Sequence, residues 1–247
     1  KIAMGASYVK DKIYIMGGYS VTNKGAEKSY DSVHIYDPVL NDFVNPGTPI
    51  PTPIDDHVQA VWRDSLIFIV TGWSDTQNVP DVMLYDPTFE SWQVGSSVPS
   101  NTVYESFGAS GSIVGDTIYY HGGAAMGSSF PAQSYLRKGV IDPSNPTNIT
   151  WTQEEDSPNE DLYRSADVTY QNRVMWIGGS SISYNYNGVA YNGSGGVEPT
   201  NRILAYFADE LRWEEYLYQD EKVMDLRGIA QLSETEWIIA GGMLKNQ

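Results

Sequence analysis

Hydrophobic and polar positions along the chain follow one pattern that recurs. A short stretch of small and β-branched residues leads into a polar turn, and an apolar run follows that halts at a glycine pair. The first copy reads Gly5-Ala6-Ser7-Tyr8-Val9, then Lys10-Asp11-Lys12, then Ile13-Tyr14-Ile15-Met16 and Gly17-Gly18. Two strand-like segments joined by so short a polar turn predict a hairpin. Later copies halt at Thr71-Gly72, Gly122-Gly123, Gly178-Gly179 and Gly241-Gly242. Beyond each of the first four come a polar loop, a third apolar segment and an outer segment with an aromatic residue. The third segments are predicted at 33–36, at 82–85, at a stretch ending at 141 and at 203–207. The outer ones carry Phe43, Trp92, Trp151 and Trp213. Asp37-Pro38, Asp86-Pro87 and Asp142-Pro143 separate third from outer, because proline cannot donate to a ladder and Asp-Pro favours a turn. The fifth copy offers only residues 228–232, a turn at Ser233-Glu234 and residues 236–240.

Glycine pairs recurring at a period of about 50 residues predict radial repetition of four-stranded sheets. The expected architecture is all-β, a single domain over residues 1–247 with four complete blades and an incomplete fifth. On these residues the chain resembles the kelch-repeat β-propellers, whose signature runs from a strand ending in Gly-Gly through Tyr-Asp-Pro to Trp. Gly17-Gly18, Tyr36-Asp37-Pro38 and Phe43 follow it, as do Thr71-Gly72, Tyr85-Asp86-Pro87 and Trp92. Phe43, Thr71 and Ala208-Asp209 depart from it. The resemblance implies the fold shared with the galactose oxidase-like superfamily and a secreted or periplasmic bacterial setting. Glycines at a strand end crowded against the channel are expected to serve backbone geometry, and the tryptophans to wedge between sheets. A propeller hides its edges only when the last blade is completed. The half unit therefore predicts a longer polypeptide, either a six-bladed ring lacking residues or an imperfect five-bladed one.

Composition narrows the range of partners. The 247 residues are 41% hydrophobic, with 18 Tyr and 7 Trp, which suits strands and a sizeable core. A net charge of -16 and a pI near 4.4 repel phosphate backbones and anionic lipid, so nucleic-acid and membrane partners are not expected. No apolar run approaches the roughly 20 residues of a membrane span. Cysteine is absent, which excludes disulfides, thiolate nucleophiles and Cys-ligated metals. It also argues against the kelch-domain copper oxidases, whose cofactor needs a Cys-Tyr crosslink. No cofactor and no metal are expected, and a monomer is. Two sequons, Asn148-Ile149-Thr150 and Asn192-Gly193-Ser194, are about what chance supplies.

Loop length separates the two faces of the disc. The segments after the glycine pairs, at 19–32, 73–81, 124–135 and 180–201, are long, and long loops on a rigid scaffold carry function. The longest interleaves Tyr184, Tyr186 and Tyr191 with Asn and Gly, a composition suited to stacking on sugars and equally to a flexible loop. The segments leading into the innermost strands bring Asp55, Asp56, His57, Glu105, Arg164 and Arg227 toward the axis, and Trp73 follows a glycine stop. Arg164 and Arg227 lie fourteen residues before the first glycine of their pairs, and His57 fourteen before Thr71, so the three are expected at one level. Arginines here either bond neighbouring blades or fork onto a ligand carboxylate while His57 or an acid moves protons. Asp55-Asp56-His57 alternate in direction and make an improbable metal shell. His121 takes a slot filled elsewhere by Met16, Val70, Ile177 and Ala240, as a buried histidine would.

Two functions follow. One is a binding module whose long-loop face holds a glycan or a protein partner. The other is a sugar mutarotase or epimerase, because Asn187-Gly188-x-x-Tyr191 and the arginines with nearby acids resemble the kelch-type sialic-acid mutarotase/epimerase group. In that reading His57, Glu105, Arg164 and Arg227 are the catalytic candidates. No Ser-His-Asp, zinc-helix or phosphate-loop signature is present.

Overall fold

Residues 1–21, 26–154, 161–184, 197–219, 221–225, 229–233 and 236–244 are described in a computed structural model of the chain. In the first unit β1 (Gly5–Val9) turns into β2 (Lys12–Met16), a ribbon of β3 (Tyr19–Val21) and β4 (Glu27–Ser29) follows, and β5 (Val33–Asp37) and β6 (Asp42–Phe43) complete a sheet of order β1-β2-β5-β6. The second unit contains β7 (Val58–Trp62), β8 (Leu66–Val70), a ribbon of β9 (Trp73–Ser74) and β10 (Gln77–Asn78), then β11 (Val82–Asp86) and β12 (Ser91–Val94). The third is β13 (Phe107–Val114), β14 (Thr117–Ala124), β15 (Leu136–Asp142) and β16 (Asn145–Gln153). The fourth is β17 (Ala166–Tyr170), β18 (Arg173–Ile177), β19 (Arg202–Phe207) and β20 (Arg212–Leu217). Finally β21 (Ala230–Gln231) pairs with β22 (Trp237–Ile238) alone. Every ladder is antiparallel and no helix occurs among the described residues.

The apolar runs become second strands because they are covered on both faces. Ile67, Phe68, Ile69 and Val70 of β8 are all fully buried. Successive side chains point to opposite faces of a strand, so Ile67 and Ile69 join Tyr14, Met16 and Ile35 of the first blade, while Phe68 and Val70 join Ile118, Tyr120 and Ile141 of the third. A third core sets Tyr119 and Leu136 against Trp176, Leu204 and Tyr206. Cores lying between sheets, with sheets standing side by side, make this a four-bladed arrangement of a kelch-type β-propeller followed by a further hairpin.

The outer turns show why their residues recur. Asp37 Oδ1 accepts from Val39 N and Leu40 N at 2.9 and 3.2 Å, and Asp86 Oδ1 from Thr88 N at 2.7 Å, satisfying amides the turn would leave bare. Trp92 Nε1 donates to Thr48 O and Trp151 Nε1 to Ser96 O, each at 2.8 Å, tying an outer strand to the link from the previous blade. Two expectations change. The loops at 19–32 and 73–81 contain the ribbons β3–β4 and β9–β10, and the fifth hairpin is shorter than its sequence pattern suggests.

Candidate functional site

Each innermost strand is preceded by a kink at the axis. Ala3, Asp56, Gly108, Arg164 and Asp225 hold positive φ of 58, 50, 69, 52 and 57°. Asp56 N donates to Ala3 O at 3.1 Å, Gly108 N to Asp56 O at 2.8 Å and Arg164 N to Gly108 O at 2.8 Å, passing from blade to blade. The residue before each kink bridges the residue after that unit's glycine pair: Ile2 with Tyr19, Asp55 with Trp73, Phe107 with Ala124, Tyr163 with Ser180, Met224 with Met243. One residue per unit therefore reaches the channel mouth at a common level.

That level is shifted from the expected one in two units. Fourteen residues before the glycine stop is right for Ala3, Gly108 and Arg164, whose hairpin turns hold two residues. In the second unit Trp62 pairs with Leu66 across a longer turn, which moves the position from His57 to Asp56. In the fifth, the kink falls on Asp225, sixteen residues before the first glycine of its pair. His57 instead packs on Gly5 and Gly17 of the first blade, and its Nε2 donates to Gln59 Oε1 at 3.1 Å.

Arg164 joins three blades. Its Nε donates to Asp56 Oδ1 at 3.0 Å, its Nη2 to Asp56 Oδ2, and its Nη1 to Asp225 Oδ1 at 3.0 Å. The side chain passes over Gly108, where an added Cβ would strike the Tyr163 ring and lie 3.2 Å from Arg164 Cγ. Tyr184 donates its hydroxyl to Asp225 Oδ2, and the guanidinium carbon stands 5.0 Å from the Tyr184 ring and 5.3 Å from Tyr163. Burial, the largest single influence, would lower the Arg164 pKa, but Asp56, Tyr163 and Asp225 together outweigh it and keep the guanidinium charged.

Acids crowd the same region. Asp55 is 2% exposed, and burial, reinforced by the charge of Asp56, pushes its carboxyl up to about 8. Burial, then Asp56, also raises Glu27, and burial raises Tyr19 against the opposing pull of Arg164. Ser29 Oγ donates to Asp55 Oδ2 at 2.5 Å, while Ser29 N donates to Asp75 Oδ1 at 2.9 Å and Asp75 N to Ser29 Oγ at 2.8 Å. This staple fixes the first ribbon to the second. Around it run aromatic rings: Trp73 lies 5.2 Å from Phe107 and 5.8 Å from Phe130, Phe107 lies 5.8 Å from Tyr163, and Tyr163 lies 5.9 Å from Tyr184.

Asp55, Asp56, Trp73, Arg164 and Tyr184 thus come together at the mouth. Glu105 does not join them in any described contact; it accepts from Ser100 Oγ at 2.6 Å between the second and third blades. Tyr186, Tyr191 and Arg227 lie outside the described residues. Sequence reasoning missed Tyr19, Glu27, Ser29, Tyr163 and Asp225, which enter through cross-blade contacts that no local pattern announces. His121 packs 5.2 Å from both Trp176 and Trp213, and burial followed by Arg137 pushes it down to about 3, so it stays neutral. Below the mouth, Gly5, His57, Gln59, Ser110 and Asp167 line a void of about 10 Å³, room for no more than one water. Among the described residues no group of three His, Cys, Asp or Glu side chains is placed to hold a metal ion.

Residues 3–45 match the profile of the Kelch motif. The repeated four-stranded sheets and this single motif match agree on a kelch-type β-propeller fold. The solved structure of YjhT superimposes with a TM-score of 0.77 at 13% identity, covering 98% of this chain and 77% of YjhT, a likeness of fold. Comparison with proteins of curated function yields no match.

Proposed function

We propose that the chain is a kelch-repeat binding module whose long-loop face holds a glycan. The observation that carries this reading is the mouth itself, where rings of Trp73 and Tyr184 stand beside hydrogen-bonding groups gathered from separate blades. Sugars need both, since apolar faces stack on rings while hydroxyls bond acids and amines. Saturation-transfer NMR guided by a glycan array tests it. Binding should be lost in Trp73→Ala and Tyr184→Ala variants that keep their strand circular dichroism. A folded protein that binds no glycan but captures a defined protein at this face would replace the glycan with a protein partner.

One observation favours a catalytic variant of the same reading. A neutral Asp55 carboxyl beside the ionised Asp56 pairs a proton donor with an acceptor near pH 7, which is what sugar ring opening in a mutarotase or epimerase requires. This reading is tested by anomer exchange of a freshly dissolved sugar, first N-acetylneuraminic acid. Acceleration abolished in Asp55→Asn supports it; an exchange rate equal to the buffer rate removes it.

A further inference from the structure

We propose that a cleft beside the mouth is a second sugar subsite, so that the module reads a chain of sugar units and not a single ring. This inference rests on the glycan reading above. The cleft has a volume of about 300 Å³, at the lower end of the range for ligand pockets and suited to one ring. Thr102, Met126, Pro131, Ser134, Tyr135 and Asp161 line it, drawn from the link into the third blade, the long loop of the third unit and the approach to the fourth blade.

One loop separates the cleft from the mouth. Ala124 bridges Ala132, and Ala125 N donates to Pro131 O at 3.0 Å, closing residues 125–131 into a narrow turn-back. From this loop Phe130 packs its ring against Trp73 and Phe107 at the mouth, while Met126 and Pro131 line the cleft. Ala132 belongs to both, packing on the aromatic cluster and lining the cleft. A sugar stacked on Trp73 therefore has a second seat one loop's width away.

The walls of this second seat are fixed and its hydroxyls are unspent. Arg137, fully buried, donates to Val103 O and Gly122 O at 2.6 Å each, to Tyr135 O at 3.0 Å and through Nη2 to Gln133 Oε1. Gln133 donates from its amide to Thr102 O, and its carbonyl accepts from Leu162 N at 3.0 Å. Three segments are thus clamped before a ligand arrives, which removes an ordering cost from binding. The hydroxyls of Thr102, Ser134 and Tyr135, by contrast, make no hydrogen bond among the described residues. Hydroxyls both give and accept, as a sugar's own hydroxyls require, and Met126 and Pro131 offer an apolar wall to the ring face.

The test is a glycan array of the full chain carrying single sugars beside their own dimers to tetramers, with the best pairs measured by titration calorimetry. The expected result is that the longer chains bind at least tenfold tighter than the single sugar, because a second unit tethered to the first binds at high effective concentration. Tyr135→Phe should take several-fold from that advantage. Thr102→Phe, which sets a ring into the cleft from an exposed position, should bring the longer chain down to the affinity of the single sugar. Neither should lower the melting temperature, since the hydroxyls removed hold nothing in the fold. Single sugars that bind as tightly as their chains, or variants that keep the full preference, would overturn the second subsite and leave the glycan module standing. An array on which no glycan of any length binds would overturn both.

Discussion

At Arg164 a buried cation is balanced from two sides, and the balance predicts what its loss costs. Asp56 is 3% exposed, so Arg164→Ala strands a carboxylate away from water. Breaking a buried pair from one side destabilises by about 3–5 kcal/mol, whereas replacing both partners by apolar residues is often far milder. Urea denaturation of Arg164→Ala and of Arg164→Met/Asp56→Leu should therefore show the double variant more stable than the single one. Asp55 makes a different prediction. Its carboxyl is pushed up to about 8, above the unfolded value of about 3.9, so the folded chain keeps a proton that the unfolded chain has released. Stability from this group is full below about pH 4 and is lost as pH rises through 8. Asn keeps an oxygen for the Ser29 hydroxyl and cannot ionise. Asp55→Asn should then melt higher than the parent at pH 9, where each 1 kcal/mol is worth about 2–4 °C, and gain nothing at pH 4. Parallel melting curves across that range would contradict it. Arg164 was legible because counting back from a glycine pair works through a two-residue turn. His57 was misplaced because one extra turn residue changes the level.

Blades as elements were readable for physical reasons that the contacts now display. Runs apolar at every position are strands covered twice, Asp before Pro caps the amides of its own turn, and Trp reaches the previous link. The ribbons were not readable, since strands of two or three residues are too short to show a period. The glycine pairs hold the sharpest prediction here. At Gly122, φ is 70° and an added Cβ would fall on the Leu162 carbonyl of the next blade's approach segment. At Gly115, φ is 59° and nothing lies within 4 Å. Both alanine variants bear the left-handed backbone cost of about 1 kcal/mol, but only Gly122→Ala also drives a blade off its neighbour. We expect a loss of about 1 kcal/mol at Gly115 and more than twice that at Gly122 in chemical denaturation. Equal losses would mean that the pairs serve turn conformation alone and not blade spacing. Thr71 tests the same idea naturally. Standing where the other units have a first glycine, it holds φ 45° and uses its hydroxyl to accept from Ser106 N at 3.1 Å and donate to Val79 O at 2.8 Å.

Over the whole molecule, cohesion around the axis depends on links that cross from one blade to the next. Apolar cores fill the wedges between sheets, but backbone bonds join the blades at the mouth, through the amides of Asp56, Gly108 and Arg164. Exposing any of these three to solvent requires parting two blades, because each donor and its acceptor belong to the approach segments or strands of different blades. Their exchange should therefore proceed close to the rate of global unfolding, and the three should respond together to denaturant. The amides of β21 and β22, in a two-stranded ribbon of mostly exposed residues, should open locally and exchange far sooner. Hydrogen exchange followed by NMR separates the two groups directly. If Asp56, Gly108 and Arg164 exchanged as early as the final hairpin, blade-to-blade bonding at the mouth would not hold the disc together, and the Asp56–Arg164–Asp225 cluster would have to be understood as a ligand site free of any structural duty.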